Sequence, residues 1–192
     1  MLKLLCHNPT YDTSWRYGII ERLHNIGMRG NLPIFLKNFL NNRKIRVRVG
    51  NILSEEKDVT EGIPQGSVLS CTLFMIAIDG ICNVIPQNIG KTLYVDDFTI
   101  YTSGANSNML ERHLQTAITN LENWCNRTGF TFSASKTVSL HICHKKNCPK
   151  FSLNLTLYNT PIQSVDSFRY LGVIFDKSLT WRPHLIELKK KL

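Results

Sequence analysis

No apolar run in the 192-residue sequence approaches the roughly 20 residues that a membrane-spanning helix needs. No internal repeat or low-complexity stretch stands out, and a disordered tail would be poorer in Leu, Ile, Val and Phe. The six cysteines form no CxxC pair and no dense framework. They read as reduced thiols of an intracellular protein, in the cytoplasm or the nucleus. The first residues, Met1-Leu2-Lys3-Leu4-Leu5-Cys6-His7, offer too short an apolar core for a signal peptide. Acidic residues are scarce too. Only 14 Asp and Glu face 23 Lys and Arg, for a net charge of +9. That excess points to a polyanionic partner, with nucleic acid as the first choice and no membrane.

What is present suits one domain with a core, since 43% of the residues are hydrophobic. Asp12 and Thr13 are placed to cap a helix carrying Trp15, Ile19, Leu23 and Ile26 on one face. Pro33 opens a second helix with Leu32, Phe35, Leu36, Phe39 and Leu40 on its face. Strict alternation follows. Ile45, Val47 and Val49 are expected toward a core, with Lys44, Arg46 and Arg48 outward beside Arg43. That cationic row is either a phosphate-binding surface or a solvated strand face. Gly50-Asn51 reads as a turn.

A loop rich in glycine and proline, Glu61 to Ser67, precedes an apolar helix over 68–81. Residues 92–101 read as strand, turn at Asp96-Asp97, strand. Asn108 and Glu111 form a capping box for a helix bearing Leu110, Leu114, Ala117, Ile118, Leu121 and Trp124, which Gly129 ends. Further strands are expected at 130–132, 138–142, 153–158 and 168–175, then a basic helix at 179–192. Strands and helices mix without a βαβ rhythm. The class is therefore α+β, with an antiparallel sheet and helices packed on one face.

Asp96-Asp97 carries the chemistry. Two adjacent carboxylates in a tight turn repel, and a divalent cation relieves that repulsion and serves phosphoryl transfer. An ordinary surface turn is the alternative. His141, Cys143, His144 and Cys148 do not follow a standard zinc spacing. Asp176 and Asp79 read as turn and helix-end residues.

Read together, Gly62-Ile63-Pro64-Gln65-Gly66-Ser67-Val68-Leu69-Ser70 and Tyr94-Val95-Asp96-Asp97 closely resemble two signatures of the reverse transcriptases, those of non-LTR (LINE-like) retrotransposons most of all. Gly129-Phe130 with Ser135-Lys136-Thr137 resembles the next palm segment. Phe168-Arg169-Tyr170-Leu171-Gly172 resembles the F-x-Y-L-G primer-grip hairpin. A relative of cellular polymerases such as maturases or telomerase fits these segments less well.

The resemblance implies a polymerase palm with partial fingers and the start of a thumb. Residues 1–192 would divide into palm with part of the fingers (10–140), end of palm and primer-grip-like hairpin (141–178) and start of thumb (179–192). It implies an RNA-directed DNA polymerase using two Mg²⁺ ions held by Asp96 and Asp97, with Lys136 toward the triphosphate. Tyr11 would contact the sugar; Gln65, Gly66, Tyr94 and Val95 would shape the pocket for template base and nucleotide. Arg43, Lys44, Arg46 and Arg48 would meet nucleic acid. The implied partners are an RNA template, a DNA primer and deoxynucleoside triphosphates.

The family's first palm strand supplies a third carboxylate five residues before the aromatic at Tyr11. Here that position is Cys6, and a neutral thiol suits Mg²⁺ poorly. Cys71 stands where the family usually has proline. The expectation is a fragment of a retrotransposon polyprotein with impaired synthesis, or a catalytically dead nucleic-acid-binding remnant.

Overall fold

The computed structural model describes residues 2–5, 15–143 and 153–191. In chain order its strands are β1 (Leu2–Leu5), β2 (Arg43–Ile45), β3 (Arg48–Val49), β4 (Ile52–Leu53), β5 (Lys57–Val59), β6 (Gly90–Tyr94), β7 (Asp97–Tyr101), β8 (Val138–Ser139), β9 (Thr156–Leu157), β10 (Thr160–Pro161), β11 (Gln163–Ser164), β12 (Ser167–Tyr170) and β13 (Val173–Asp176). The α-helices are α1 (Arg16–Asn25), α2 (Asn31–Leu40), α3 (Val68–Ile78), α4 (Ser107–Thr128) and α5 (Arg182–Lys191). None of them is long and apolar enough to cross a membrane. The class is α+β, as the sequence predicts. The described residues fall into two compact units, one of residues 2–5, 82–123 and 132–191, the other of 15–81 and 124–131.

The first unit is built on a five-stranded sheet in the order β11-β8-β1-β7-β6. β1 sits at its centre and runs antiparallel to both β7 and β8. β11 pairs with β8 in parallel, so the sheet is mixed and not antiparallel throughout. The long excursion through β9 and β10 provides the crossover that a parallel pair requires. Central placement buries β7 on both faces: Phe98, Thr99 and Ile100 are all inside. Phe98 stacks on Phe132 at 6.4 Å. Residues 130–132 form only an isolated bridge at Phe132, not a strand.

Helix α4 buries Leu114, Ala117, Ile118 and Leu121, an i, i+3, i+4, i+7 stripe. Its cap lies earlier than expected. The Asn106 side-chain oxygen accepts the Met109 N–H at 3.2 Å. Glu111 instead accepts the Asn154 N–H at 2.9 Å. Gln115 accepts the Thr156 N–H at 2.9 Å and donates to its carbonyl at 3.1 Å. Glu122 accepts the Tyr158 N–H at 2.6 Å. The polar stripe of α4 thus satisfies backbone groups along residues 154–158.

Leu171 and Gly172, at φ 46° and 85°, close the β12–β13 hairpin. Both positive values suit a two-residue primed turn. Asp176 then turns the chain toward α5. Its buried carboxylate accepts the N–H groups of Ser178, Thr180 and Trp181 and the Thr180 hydroxyl, all within 3.2 Å. Desolvation pushes its pKa up, but these hydrogen bonds outweigh that and hold it below the ordinary value. Asp176 is a turn residue, as the sequence predicts.

In the second unit α1 packs against both α2 and α3. Ile19, Leu23, Leu36, Leu40, Leu73, Phe74 and Ile78 are buried there. Trp15, Ile26, Leu32 and Phe35 stay exposed, against expectation, because coverage is confined to the sides that face neighbouring helices. The alternating stretch also departs from expectation. It breaks into two ribbons, β2 with β5 and β3 with β4. Ile45, Val47 and Val49 face solvent, since a two-stranded ribbon has no layer over it.

Candidate active site

The register of β6 and β7 pairs Tyr94 with Asp97, which leaves Val95 and Asp96 as the two turn residues. The turn therefore lies one residue earlier than expected, and Asp97 begins β7. Val95 takes φ 54°. A β-branched side chain in that region costs on the order of 1–3 kcal/mol and persists only where the surroundings enforce it. The buried flank of β7 enforces it here. Asp96 and Asp97 are half-buried, and Tyr94 is exposed. Among the described residues no ion pair engages Asp96.

The central strand leads to this turn. Leu5, the last residue of β1, pairs with Asp97. On the other side of β1, Lys3 pairs with Val138, so the chain just before β8 lies at the same end. The short 3₁₀ turn Ala134–Lys136 packs beside β1 there and leaves Lys136 exposed. The sheet thus gathers Asp96, Asp97 and Lys136 around the end of one strand. A further tie comes from β12, where the Tyr170 hydroxyl and Thr92 Oγ1 share a hydrogen bond at 3.2 Å. Cys6 and Tyr11 lie outside the described residues.

In the second unit, the loop before α3 places Gln65 and Gly66 at an exposed apex. Gly66 has φ 85°, and a Cβ there would meet nothing within 4 Å. Ile63 is buried beneath the apex, and the Ser70 hydroxyl donates to the Pro64 carbonyl. Arg16, a residue the sequence reading missed, donates to the carbonyls of Val59, Glu61 and Gly62 at 2.7, 2.7 and 2.8 Å. Nothing in the sequence pattern connects it with residues so far along the chain.

The cations of the ribbons are engaged nearby. Lys44 and Arg46 both reach Glu56, at 3.2 and 2.8 Å. Arg48 donates to the Gly50 carbonyl at 3.0 Å, and Arg43 lies over the Phe39 ring at 5.9 Å. Asp79 pairs with Arg22 at 2.7 Å, just past α3.

Cys143 is disulfide-bonded, which corrects the expectation that every thiol is reduced. Its partner lies outside the described residues, as do His144 and Cys148. Among the described residues, no three His, Cys, Asp or Glu side chains gather as a metal site. The two carboxylates at residues 96 and 97 supply hard oxygen donors that suit a divalent cation.

A family model described as reverse transcriptase (RNA-dependent DNA polymerase) matches residues 9–175. The chain belongs to the reverse transcriptase family. That match takes in the Val95-Asp96 turn, the Gln65-Gly66 loop, Lys136 and the β12–β13 hairpin. Curated relatives agree. A probable RNA-directed DNA polymerase from transposon BS of Drosophila melanogaster is 29% identical over 91% of this chain. The RNA-directed DNA polymerases from mobile element jockey of Drosophila melanogaster and of Drosophila funebris are 24% and 27% identical over 94% and 93%. The chain spans about one fifth of the length of these relatives. It is a reverse transcriptase domain of the retrotransposon kind.

Proposed function

We propose that this chain is the nucleotidyl-transfer core of an RNA-directed DNA polymerase, and that Cys6 weakens its catalysis. The single observation that carries the reading is the pairing of Leu5 with Asp97, which brings the end of the central strand to the two aspartates. Asp96 and Asp97 would hold the divalent ions, Mg²⁺ in the ordinary case. Such ions, when bound, activate the primer hydroxyl and neutralise charge on the triphosphate. Lys136 is long enough to donate to the triphosphate from the same end of β1. Val95 and Tyr94 set the floor under the primer end. Tyr11 contacts the sugar, and the Gln65-Gly66 apex meets the template base and incoming nucleotide. A glycine at position 66 permits close backbone approach.

Template RNA and primer DNA would lie along the palm, end of palm and start of thumb that the family resemblance implies, divided at residues 140 and 178. Arg43, Lys44, Arg46 and Arg48 contribute phosphate contacts, which fix position and carry no sequence preference. The site of action is intracellular, in cytoplasm or nucleus.

Cys6 favours a second reading, a nucleic-acid-binding remnant without synthesis. Magnesium-dependent primer extension by this chain and by its Cys6→Asp variant separates the two. The enzyme reading predicts weak or no synthesis by the parent and a gain of at least about 100-fold in the variant, the scale of several kcal/mol of charge stabilisation. Strong synthesis by the parent contradicts impairment. Silence in both, with primer–template still bound, supports the remnant.

A further inference from the structure

We propose that Arg16 is a positioning residue that sets the Gln65-Gly66 apex, and through it the affinity for the incoming nucleotide; this rests on the role given to that apex above. Three observations carry it. Arg16 is only 8% exposed, yet its guanidinium is spent on backbone, on the carbonyls of Val59, Glu61 and Gly62. Those carbonyls converge on one point, and only a rigid, planar fork of donors satisfies all three together. The exit of the same loop is held separately, by the Ser70 hydroxyl on the Pro64 carbonyl. Gln65 and Gly66 are exposed, and among the described residues nothing lies within 4 Å of where a Gly66 Cβ would be.

A loop pinned at both ends and exposed at its tip is built to present the tip. Packing alone does not need the arginine, because Ile63 already anchors the loop to the core. Burying a guanidinium carries a desolvation cost that an apolar plug would avoid. Burial does push the Arg16 pKa down; repulsion from Arg43 adds to that, and Glu61 opposes it. What the fork provides is fixed carbonyl positions two residues upstream of Pro64. Proline restricts its own backbone and that of Ile63 before it. Little freedom then remains between Gly62 and Gln65.

Two arms test this. The first compares amide hydrogen exchange in the parent chain and in Arg16→Lys and Arg16→Gln. Amides of Gly62, Ile63, Gln65, Gly66 and Ser67 should exchange about tenfold faster or more, the effect of losing one charge-assisted hydrogen bond. Those of α3 should be unchanged, which also shows that the variants fold. Unchanged exchange at 62–67 overturns the proposal. The second arm adds Arg16→Lys to Cys6→Asp and measures primer extension. KM for deoxynucleoside triphosphate should rise about tenfold while KM for primer–template stays put. Faster exchange with an unmoved nucleotide KM makes the arginine merely structural and also overturns the proposal. Should Cys6→Asp alone make no DNA, the enzyme reading falls; the exchange arm still decides whether Arg16 sets the loop, and binding of deoxynucleoside triphosphate to the primer–template complex replaces KM.

Discussion

The β6–β7 hairpin and the β3–β4 ribbon both turn on two residues, and both carry β-branched side chains. Their surroundings differ completely. Phe98 of β7 is 0% exposed, whereas Val49 and Ile52 of the ribbon are 74% and 76% exposed. β7 lies between β1 and β6 in a sheet with a core beneath it. The ribbon has two strands, and among the described residues nothing covers Val49 or Ile52. Alternation states which side chains share a face; it does not state whether anything covers that face. The difference is visible in the turns as well. Gly50 occupies the positive-φ position in the ribbon, so its turn forms without strain. The aspartate hairpin puts Val95 there and depends on its buried flank to keep it.

The comparison can be broken most strongly at Phe98. Phe98→Ala should destabilise the protein by about 3–5 kcal/mol, read from urea unfolding, because it removes a filled central position. A loss below about 1 kcal/mol would show that β7 is not held as described. At the turn, Val95→Gly should raise stability by roughly 1 kcal/mol, since glycine relieves the left-handed backbone. Thermal unfolding checks this. A fall in Tm would mean that Val95 is not strained.

A pH experiment probes a third hairpin. Glu187 of α5 is hydrogen-bonded to Arg169 of β12 and Lys191, contacts that pull its pKa from 4.5 down to about 2. A depressed carboxylate stabilises the fold above its unfolded value and loses that effect as pH falls. Stability from this contact should therefore fade between about pH 4.5 and pH 2. Glu187→Gln should flatten that part of a Tm-against-pH curve, and an unchanged slope would contradict the link. The smallest effect belongs to the ribbon. Ile52→Ala should shift stability by less than about 0.5 kcal/mol, the range of an uncovered surface site. A larger loss would reveal a covering layer.

Local signals were readable wherever they governed the outcome. Gly129, at φ 75°, does end α4, and Gly50-Asn51 does turn the ribbon. The two long signatures at residues 62–70 and 94–97 identified the family. What the sequence left hidden depends on contacts between distant residues. The turn slipped to Val95-Asp96 because Tyr94 pairs with Asp97. The α4 cap moved to Asn106, while Glu111 serves Asn154. Arg16 had no local mark because its partners are more than forty residues away. The parallel seating of β11 likewise follows from a long crossover that no short pattern records.

The central claim is the proposal that an aspartate at position 6, the residue after β1 in the chain, would complete a divalent-ion site with Asp96 and Asp97. Manganese titration followed by electron paramagnetic resonance tests it without requiring synthesis. The parent, Cys6→Asp, and Cys6→Asp combined with Asp96→Asn should be compared side by side. Cys6→Asp should bind Mn²⁺ at least about tenfold more tightly than the parent, as expected when a hard oxygen donor replaces a thiol, and Asp96→Asn should remove that gain. Equal affinity in all three chains would contradict the account.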